Sequence, residues 1–322
     1  MTRSFLAHAL FAASTLIAPQ AALAQDYPSK LVRIVIPFPP GGGVDRMGRM
    51  AADKLREKWG QPFIVENRAG AAGNIAAEYV ANAAPDGYTL LYAPPQQYVI
   101  NKLLYTKLGY DPDSFAPVSV LISAPNVLVV HPSVPAETLR QLIALAKASP
   151  GKLNYSSPGN ASTNQLTAEM INAMAGVSVV HVPFNGTAPA LASLLAGQVE
   201  MMVTELGNAV PHVRGGRLRA LAVGSDKRNA QLPDIPTMSE VLPGVISTTW
   251  AGMAAPGGTP AAVVNRLAGA IAEAMKAPDI VKYLQSSFVD PVGSTPAEMA
   301  LLIRQESERW GKVIRATGAK AD

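Results

Sequence analysis

Residues 31–45 read LVRIVIPFPPGGGVD, and this stretch decides how the rest of the chain is interpreted. Residues 31–36 form a short, β-branched apolar run, which predicts a strand buried on both faces. Apolar residues then recur every four positions from Met47 to Trp59, as in an amphipathic helix. A strand, a glycine-rich turn and a helix start in this order place free backbone N–H groups and the positive end of a helix dipole at one point. The stretch predicts an anion-binding loop, with a tight turn that binds no ligand as the alternative.

Alternating strands and helices are predicted along the whole chain. Further strands are predicted at 63–66, 88–92, 126–130, 153–156, 179–182, 201–203, 218–223 and 250–254, and further helices at 75–84, 136–148, through Met170, through Leu194, and at 260–275, 279–286 and 296–315. Thr259 and Thr295 each precede a proline, which predicts a helix cap at each position. This alternation implies parallel sheets, in which ligands gather beyond the carboxyl ends of the strands.

The chain is long enough for two domains, because about 300 residues exceed what one core usually serves. We expect domain 1 to comprise residues 25–124 together with 248–322, and domain 2 to comprise residues 125–247. The terminal helices are expected to cover the first sheet, so that the chain crosses twice between the domains. The predicted fold class is α/β, with a mostly parallel sheet flanked by helices in each domain and a ligand cleft between them.

The first 24 residues have the features of a secretory signal. Arg3 precedes an apolar stretch, and Ala22-Leu23-Ala24 fits a small-x-small cleavage site, so we expect cleavage after Ala24 and 298 remaining residues. No later stretch approaches the length of a membrane span. The chain has no cysteine, which excludes disulfides and thiol chemistry. The predicted location is the bacterial periplasm.

Motifs for catalysis, metal binding and nucleic-acid binding are absent from the sequence. It contains no nucleophile elbow, no Walker A loop, no H-E-x-x-H and no C-x-x-C. His131, His181 and His212 are not at metal-ligand spacing, and we interpret each as structural. The formal charge of +4 falls to +3 when Arg3 is removed, and the basic residues are scattered. We therefore predict no catalytic residue, no metal, no cofactor and no nucleic-acid partner.

A dinucleotide site is the rival interpretation of the glycine-rich loop. Gly41 and Gly43 precede a helix, and Glu66 ends the second strand roughly where a ribose-binding acid would lie. The fingerprint requires glycine or alanine at position 46, however, and Arg46 stands there. An exported protein also has little access to nicotinamide cofactors, so this interpretation is rejected.

Several motifs together resemble the substrate-binding proteins of tripartite tricarboxylate transporters, also called Bug receptors. They run in order along the mature chain: Ile36 to Asp45, Val65 to Gly70, Pro85 to Leu90, Asn154 to Gly159, Pro183 to Ala190, Leu194 to Val199, Gly216 to Val223 and Pro233 to Thr237. The resemblance implies a type II-like periplasmic binding fold that closes on a small carboxylate without catalysis. It also implies integral-membrane permease subunits as partners, and we expect a monomer.

The resemblance places one ligand carboxylate against backbone groups and waters in two loops. The implied and candidate ligand-binding residues are Phe38, Pro39, Pro40, Gly41, Gly42 and Gly43 in the first loop, Ser157, Gly159, Asn160, Ser162 and Thr163 in the second, and Asn185 and Gly186 in the turn after the next strand. Helix capping is the structural alternative for each of these later loops. One helix end contributes only about 0.3–2 kcal/mol to anion binding, so two closing domains are expected to share the ligand.

Two loops depart from the common family pattern and are expected to face the distal part of the ligand. They are Gln96, Gln97 and Tyr98 after the third strand, and Thr204 with Glu205 after the strand that ends at Val203. The two glutamines could donate to a second polar group and Tyr98 could stack on a ring, or all three could only shape the rim. The expected function is capture of a dicarboxylate or aromatic carboxylate for a permease. Presentation of a ligand to a sensor kinase is the alternative, and an exported enzyme ranks third.

Overall fold

The computed structural model describes residues 27–317 except positions 161, 185, 230 and 231, so the predicted signal peptide lies outside the described residues. The strands are β1 Val32–Ile36, β2 Phe63–Asn67, β3 Thr89–Ala93, β4 Ala116–Val130, β5 Asn154–Ser157, β6 Val180–Pro183, β7 Met201–Glu205, β8 Arg219–Val223, β9 Thr248–Ala255 and β10 Asp290–Pro291. The α-helices are α1 Gly43–Trp59, α2 Asn74–Ala81, α3 Asn101–Leu104, α4 Leu139–Ala148, α5 Thr163–Ala175, α6 Thr187–Leu195, α7 Leu206–Arg214, α8 Ala261–Ala274, α9 Pro278–Ser286 and α10 Pro296–Thr317. A π-helical turn, Gln96–Ile100, precedes α3.

The strands pair in the order β2-β1-β3-β9-β4-β7-β5-β6, and β8 and β10 each pair with β4. The strands β2, β1 and β3 are mutually parallel, and so are β7, β5 and β6. The strands β4 and β9 run antiparallel to their neighbours and join these two groups. The prediction of an α/β fold with parallel strands and flanking helices is confirmed, whereas the domain boundaries at residues 125 and 247 stay a prediction.

The strand β4 is much longer than predicted. It begins at Ala116 rather than Asn126 and pairs with β9 as far as Pro125, with irregular register near Pro117. Prolines argue against a strand in sequence, because proline cannot donate to a ladder. A register shift follows Pro117, whereas Pro125 pairs in regular register with Thr248, and one strand passes from the first parallel group to the second.

The C-terminal part of the chain is mostly helical, with the short strand β10 as an exception to the prediction. The helix α8 packs on β4 and α1, whereas α10 contacts both β4 and α5. The terminal helices therefore do not cover the first group of strands alone. The predicted cap at Thr295 is confirmed, since its Oγ1 accepts from Glu298 N. The predicted cap at Thr259 is wrong, because its hydroxyl donates instead to Pro256 O.

The buried core follows the apolar patterns of the elements. One cluster lies between β1, α1 and α8, and includes Met47, Leu55 and Leu267. A larger cluster includes residues of both parallel groups, with Trp250 and Trp310 among its members. Within the described part of the chain, every helix is too short or too polar to cross a membrane.

Candidate functional site

The carboxyl ends of the first parallel strands point towards the place where β4 and β9 join the two groups. Ala93, the last residue of β3, pairs with Gly252 in the middle of β9. Because β9 runs antiparallel to β3, the carboxyl end of β3 points towards the start of β9 at Thr248. The strand β1 is parallel to β3, so the loop that follows β1 lies at the same end.

The carboxyl ends of the second parallel strands point to the same place. Glu205, the last residue of β7, pairs with Asn126 of β4, next to the Pro125–Thr248 pair of β4 and β9. The strand β5 is parallel to β7, so its carboxyl end also faces this junction. The loops that follow the two parallel groups therefore meet around the junction of β4 and β9.

The first loop, residues 37–43, joins β1 to α1 and is open to solvent on one side. Gly41, Gly42 and Gly43 are exposed, and a Cβ atom on any of them would meet no heavy atom within 4 Å. Gly41 needs to be glycine for its backbone, since its φ is +96°. Gly42 has an ordinary extended backbone with φ −76°. Pro39 and Pro40 are exposed and Phe38 is half-buried.

A buried carboxylate holds the first loop in place. Asp45 Oδ2 accepts from Gly41 N at 2.9 Å, and both carboxylate oxygens accept from Arg49 at 3.0–3.1 Å. Asn67 Nδ2, at the end of β2, donates to Asp45 Oδ1 and to Phe38 O. These bonds, the one from Arg49 first, lower the pKa of Asp45 to about 2, so the side chain is ionised throughout the physiological range.

The start of α1 leaves backbone donors available beside the open glycines. The first N–H groups of an α-helix have no acceptor within the helix. Gly41 N donates to Asp45 and is not available to a ligand. Gly43 and Val44 are the first two residues of α1, and the first hydrogen bond within this helix runs from Arg46 N to Gly42 O. The N–H groups of Gly43 and Val44 are therefore placed to bind an anion.

The second loop, residues 157–163, joins β5 to α5 and is held by hydroxyls. Ser157 Oγ accepts from Gly159 N at 3.2 Å and lies 2.7 Å from His181 Nε2. Ser162 Oγ donates to Gly159 O at 2.8 Å and accepts from Gln165 N, so Ser162 caps α5. The capping alternative holds for Ser162, and the hydroxyl of Ser157 is likewise used within the loop.

The available donors of the second loop lie at the start of α5. Thr163 and Asn164 are the first helical residues, so their N–H groups have no intrahelical acceptor. Thr163 Oγ1 is 3.1 Å from Thr249 Oγ1 at the start of β9. This contact places the start of α5 at the β4–β9 junction, which is also the end of the sheet where the first loop lies. Asn160 is exposed and adjoins this helix start.

The turn after β6 lies against the second loop. Gly186 N donates to Pro158 O at 2.9 Å, and Phe184 N donates to Ser157 O. Gly186 has φ +112° and precedes α6. Asn185, the other residue predicted in this turn, lies outside the described residues.

The residues after β3 are more buried than residues at the rim of a ligand cleft would be. Gln97 and Tyr98 are fully buried, and Gln96 is partly buried. Gln97 Nε2 donates to Ala72 O at 2.7 Å, so its amide hydrogens support the turn before α2. The Tyr98 hydroxyl shares its one proton between two backbone carbonyls, those of Leu91 at 2.9 Å and Gly252 at 3.0 Å. The ring of Tyr98 stacks on Trp250 with centroids 5.8 Å apart, so the structure places it in the core and not with the two loops.

The second divergent loop, Thr204-Glu205, ends β7 at the junction. Thr204 is buried, and Glu205 is half-buried and pairs in the sheet with Asn126. Asn208 Nδ2 donates to Glu205 Oε2 at 2.8 Å. Both residues lie near the carboxyl end of β5 and hence near the second loop.

Three contributors to this region were not predicted. Arg49 and Asn67 complete the clamp on Asp45, and His181 bonds to Ser157. An Asp–Arg pair four residues apart on a predicted helix is a usable signal in sequence. The other two contacts join different elements, β2 with α1 and β6 with β5, and no pattern within one segment indicates them.

The arrangement has the chemistry of anion binding. Two helix starts offer neutral backbone donors and, in the described residues, no group of three or more metal-ligating side chains is found. Two surface cavities lie elsewhere: one of about 320 Å³ beside Lys30 and Asp86, and one of about 450 Å³ between α5 and α10. Neither is lined by a predicted ligand-binding residue.

Comparisons with known proteins define the class as a solute-binding receptor rather than an enzyme. The model of the tripartite tricarboxylate transporter family receptor matches residues 47–319. The chain belongs to this family, and the resemblance stated from the sequence is confirmed. The family and its similar structures are periplasmic solute-binding receptors, which also confirms the expectation that the chain is not an enzyme.

Three similar proteins illustrate the relationship. Protein BugT of Bordetella pertussis is 34% identical over 323 residues, which cover 99% of this chain and 99% of BugT. The structure of R. palustris Rpa4515 with adipate has a TM-score of 0.80 at 36% identity and covers 92% of this chain and 99% of that one. MatC from Rhodopseudomonas palustris with bound malate has a TM-score of 0.76 at 33% identity, covering 89% and 100%.

Proposed function

We propose that this protein is a periplasmic receptor that captures a small carboxylate, most simply a dicarboxylate or an aromatic carboxylate, and delivers it to tripartite tricarboxylate permease subunits. The observation that carries the proposal is the pair of helix starts, at Gly43 and at Thr163, at the junction of the two strand groups. Both present neutral N–H groups to the same region, as a carboxylate requires.

The energetics favour a site shared by both loops. One helix end supplies about 0.3–2 kcal/mol for an anion, whereas micromolar affinity needs about 8 kcal/mol. Two loops that close on one ligand add hydrogen bonds and exclude water. This supports the proposal that residues 25–124 with 248–322 and residues 125–247 act as two domains with the ligand between them.

Similar proteins support the class of ligand. The structures that resemble this chain hold adipate in one case and malate in another, and both are dicarboxylates. The residues after β3 and β7 differ from the common family pattern, so the particular acid is proposed only as a class. Delivery to a permease is supported by membership of the receptor family.

Calorimetry with ligand-stripped, folded protein tests the proposal. The panel consists of dicarboxylates, aromatic acids and acidic amino acids, and at least one is expected to bind with micromolar or tighter affinity. Failure of the whole panel would contradict capture of a carboxylate. Loss of cellular uptake of the bound acid when the gene is deleted would establish delivery, and unchanged uptake would contradict it.

A matched pair of glycine variants tests whether the first loop binds the ligand. We expect Gly42→Val to weaken binding by at least about tenfold, because its side chain would fill the open space beside the α1 donors. Gly269→Val on α8 is the control, since a Cβ there also meets nothing within 4 Å. Equal affinities for the two variants would remove the first loop from the site.

A further inference from the structure

His181 lies directly behind the second loop. The parallel pairing of β5 and β6 sets it opposite Tyr155, and the two rings stack with centroids 4.8 Å apart and an interplanar angle of 21°. Its Nε2 is 2.7 Å from Ser157 Oγ. His181 is half-buried.

A continuous chain of hydrogen bonds leads from His181 to the start of α5. Ser157 Oγ accepts from Gly159 N at 3.2 Å and lies 3.1 Å from Gly159 O. Gly159 O accepts from Ser162 Oγ, and Ser162 caps α5. The chain therefore runs from Ser157 through Gly159 O and the Ser162 hydroxyl to Gln165 N in the first turn of α5, the turn in which Thr163 and Asn164 have their N–H groups.

We propose that His181 is a positioning residue of the second loop, which acts through Ser157 and makes carboxylate affinity rise when its ring is protonated. The proposal rests on the proposed function, because it assumes that a carboxylate binds at the two helix starts. No contact between His181 and the ligand is required.

The direction of the hydrogen bond between His181 Nε2 and Ser157 Oγ depends on whether the ring is protonated. A neutral ring whose Nε2 carries no proton accepts the Ser157 hydroxyl proton. A protonated ring donates from Nε2 to Ser157 Oγ, so the hydroxyl proton turns towards Gly159 O. The protonated ring also places a positive charge behind the loop that holds the carboxylate, and this charge favours the bound state.

The groups around the ring set the pH range of this effect. Burial lowers the pKa of His181 below its usual value, and the carboxylate of Glu169 on α5 opposes this shift. Tyr155 on β5 donates to Glu169 at 2.5 Å, and burial first, then Glu169, raises the pKa of Tyr155, so this hydroxyl stays neutral. The ring is therefore mainly neutral at pH 8 and becomes charged as the pH falls. A bound carboxylate raises the pKa of His181. By linkage, the affinity for the carboxylate therefore increases as the pH falls.

Calorimetry at pH 8 and pH 6 with adipate and malate as probes tests the proposal. We expect the affinity of the wild type to rise by about threefold to tenfold between these values. His181→Gln keeps a polar atom near Nε2 but does not titrate, so it should lose the increase in affinity between pH 8 and pH 6. His181→Phe keeps the ring stacking but loses the hydrogen bond, and should bind more weakly at both pH values.

His131→Gln is the matched control, because His131 also bonds to a serine, Ser133, at 2.7 Å but lies beyond the opposite end of β7. It should retain the profile of the wild type. Protonation of the probe itself affects all variants equally and cancels in the comparison. If His181→Gln keeps the rise in affinity, or if the wild type has none, the proposal is wrong.

A ligand-free measurement separates this proposal from the proposed function. If the wild type binds neither probe, carboxylate capture is contradicted for these acids, whereas the coupling to Ser157 can still be measured. NMR titration of the His181 ring should show a changed pKa in Ser157→Ala, since the variant removes the 2.7 Å hydrogen bond. An unchanged pKa would overturn the coupling whatever the probes do. Should His181→Phe fail to fold, His181→Gln alone decides the calorimetric result.

Discussion

The first and second loops present the same backbone donors but are held by opposite chemistry. The first ends in three glycines and is held by the buried carboxylate of Asp45, which pairs with the half-exposed guanidinium of Arg49. The second contains no charged residue and is held by the hydroxyls of Ser157 and Ser162. In both, side chains hold the loop while the first N–H groups of the helix stay available.

The two loops are expected to respond differently to pH. A buried carboxylate with a pKa near 2 does not change its charge above about pH 4, so the first loop is constant over the range in which the protein works. The hydrogen bonds that hold the second loop end on the imidazole of His181, which gains a proton as the pH falls. The first loop is suited to binding one carboxylate with an affinity that does not depend on pH. The second loop is suited to changing its affinity with pH.

Of the variants that test the difference between the two loops, Asp45→Ala is expected to have the largest effect on stability. The change leaves Gly41 N, Arg49 and Asn67 without their shared acceptor, and we expect a loss of about 2–3 kcal/mol in the free energy of unfolding, as for hydrogen bonds to a charged group. Urea unfolding measures it. Asp53→Ala is the control on the same helix, because its pair with Arg56 is exposed on both sides and should contribute less than about 1 kcal/mol. Similar losses for both variants would show that the buried carboxylate of Asp45 does not hold the loop.

A smaller effect concerns pH. The folded pKa of Asp45, about 2, lies below its ordinary value of 3.8, so its stabilisation is present above about pH 4 and is lost as the pH falls towards 2. The shift corresponds to about 2 kcal/mol at pH 6, of which roughly half remains at pH 3. The stability difference between wild type and Asp45→Asn should shrink accordingly in urea unfolding at these two pH values. A difference that does not depend on pH would contradict the role of the charge.

The smallest effect sharpens the comparison at the second loop. Ser162→Ala removes the cap of α5 and should cost about 1 kcal/mol of stability and also weaken ligand binding. Thr138→Ala removes the cap of α4 and should cost a similar amount without affecting affinity. Thermal unfolding and calorimetry on both variants distinguish the outcomes. If both variants lose affinity equally, the loss reflects general destabilisation and not the second loop.

Local pattern was sufficient for most elements and failed where proline was present. The alternation of apolar strands and amphipathic helices predicted the α/β fold, and the run of glycines predicted the first loop. The strand β4 was missed in its first half because it contains Pro117 and Pro125, and α7 was missed because Pro211 lies inside it. Pairing with β9 and packing on β7 override the local preference in these two elements.

The sequence by itself determined the class of fold, the position of the two helix starts and the family, because each depends on the order of residues within a short segment. Tertiary structure alone decided what holds the loops. Asn67 reaches Asp45 from the next strand, His181 reaches Ser157 through the pairing of β5 and β6, and Thr249 meets Thr163 at the junction. These contacts arise between segments that are 22 to 86 residues apart. Local periodicity carries no information about such distances, since strand order and register set them.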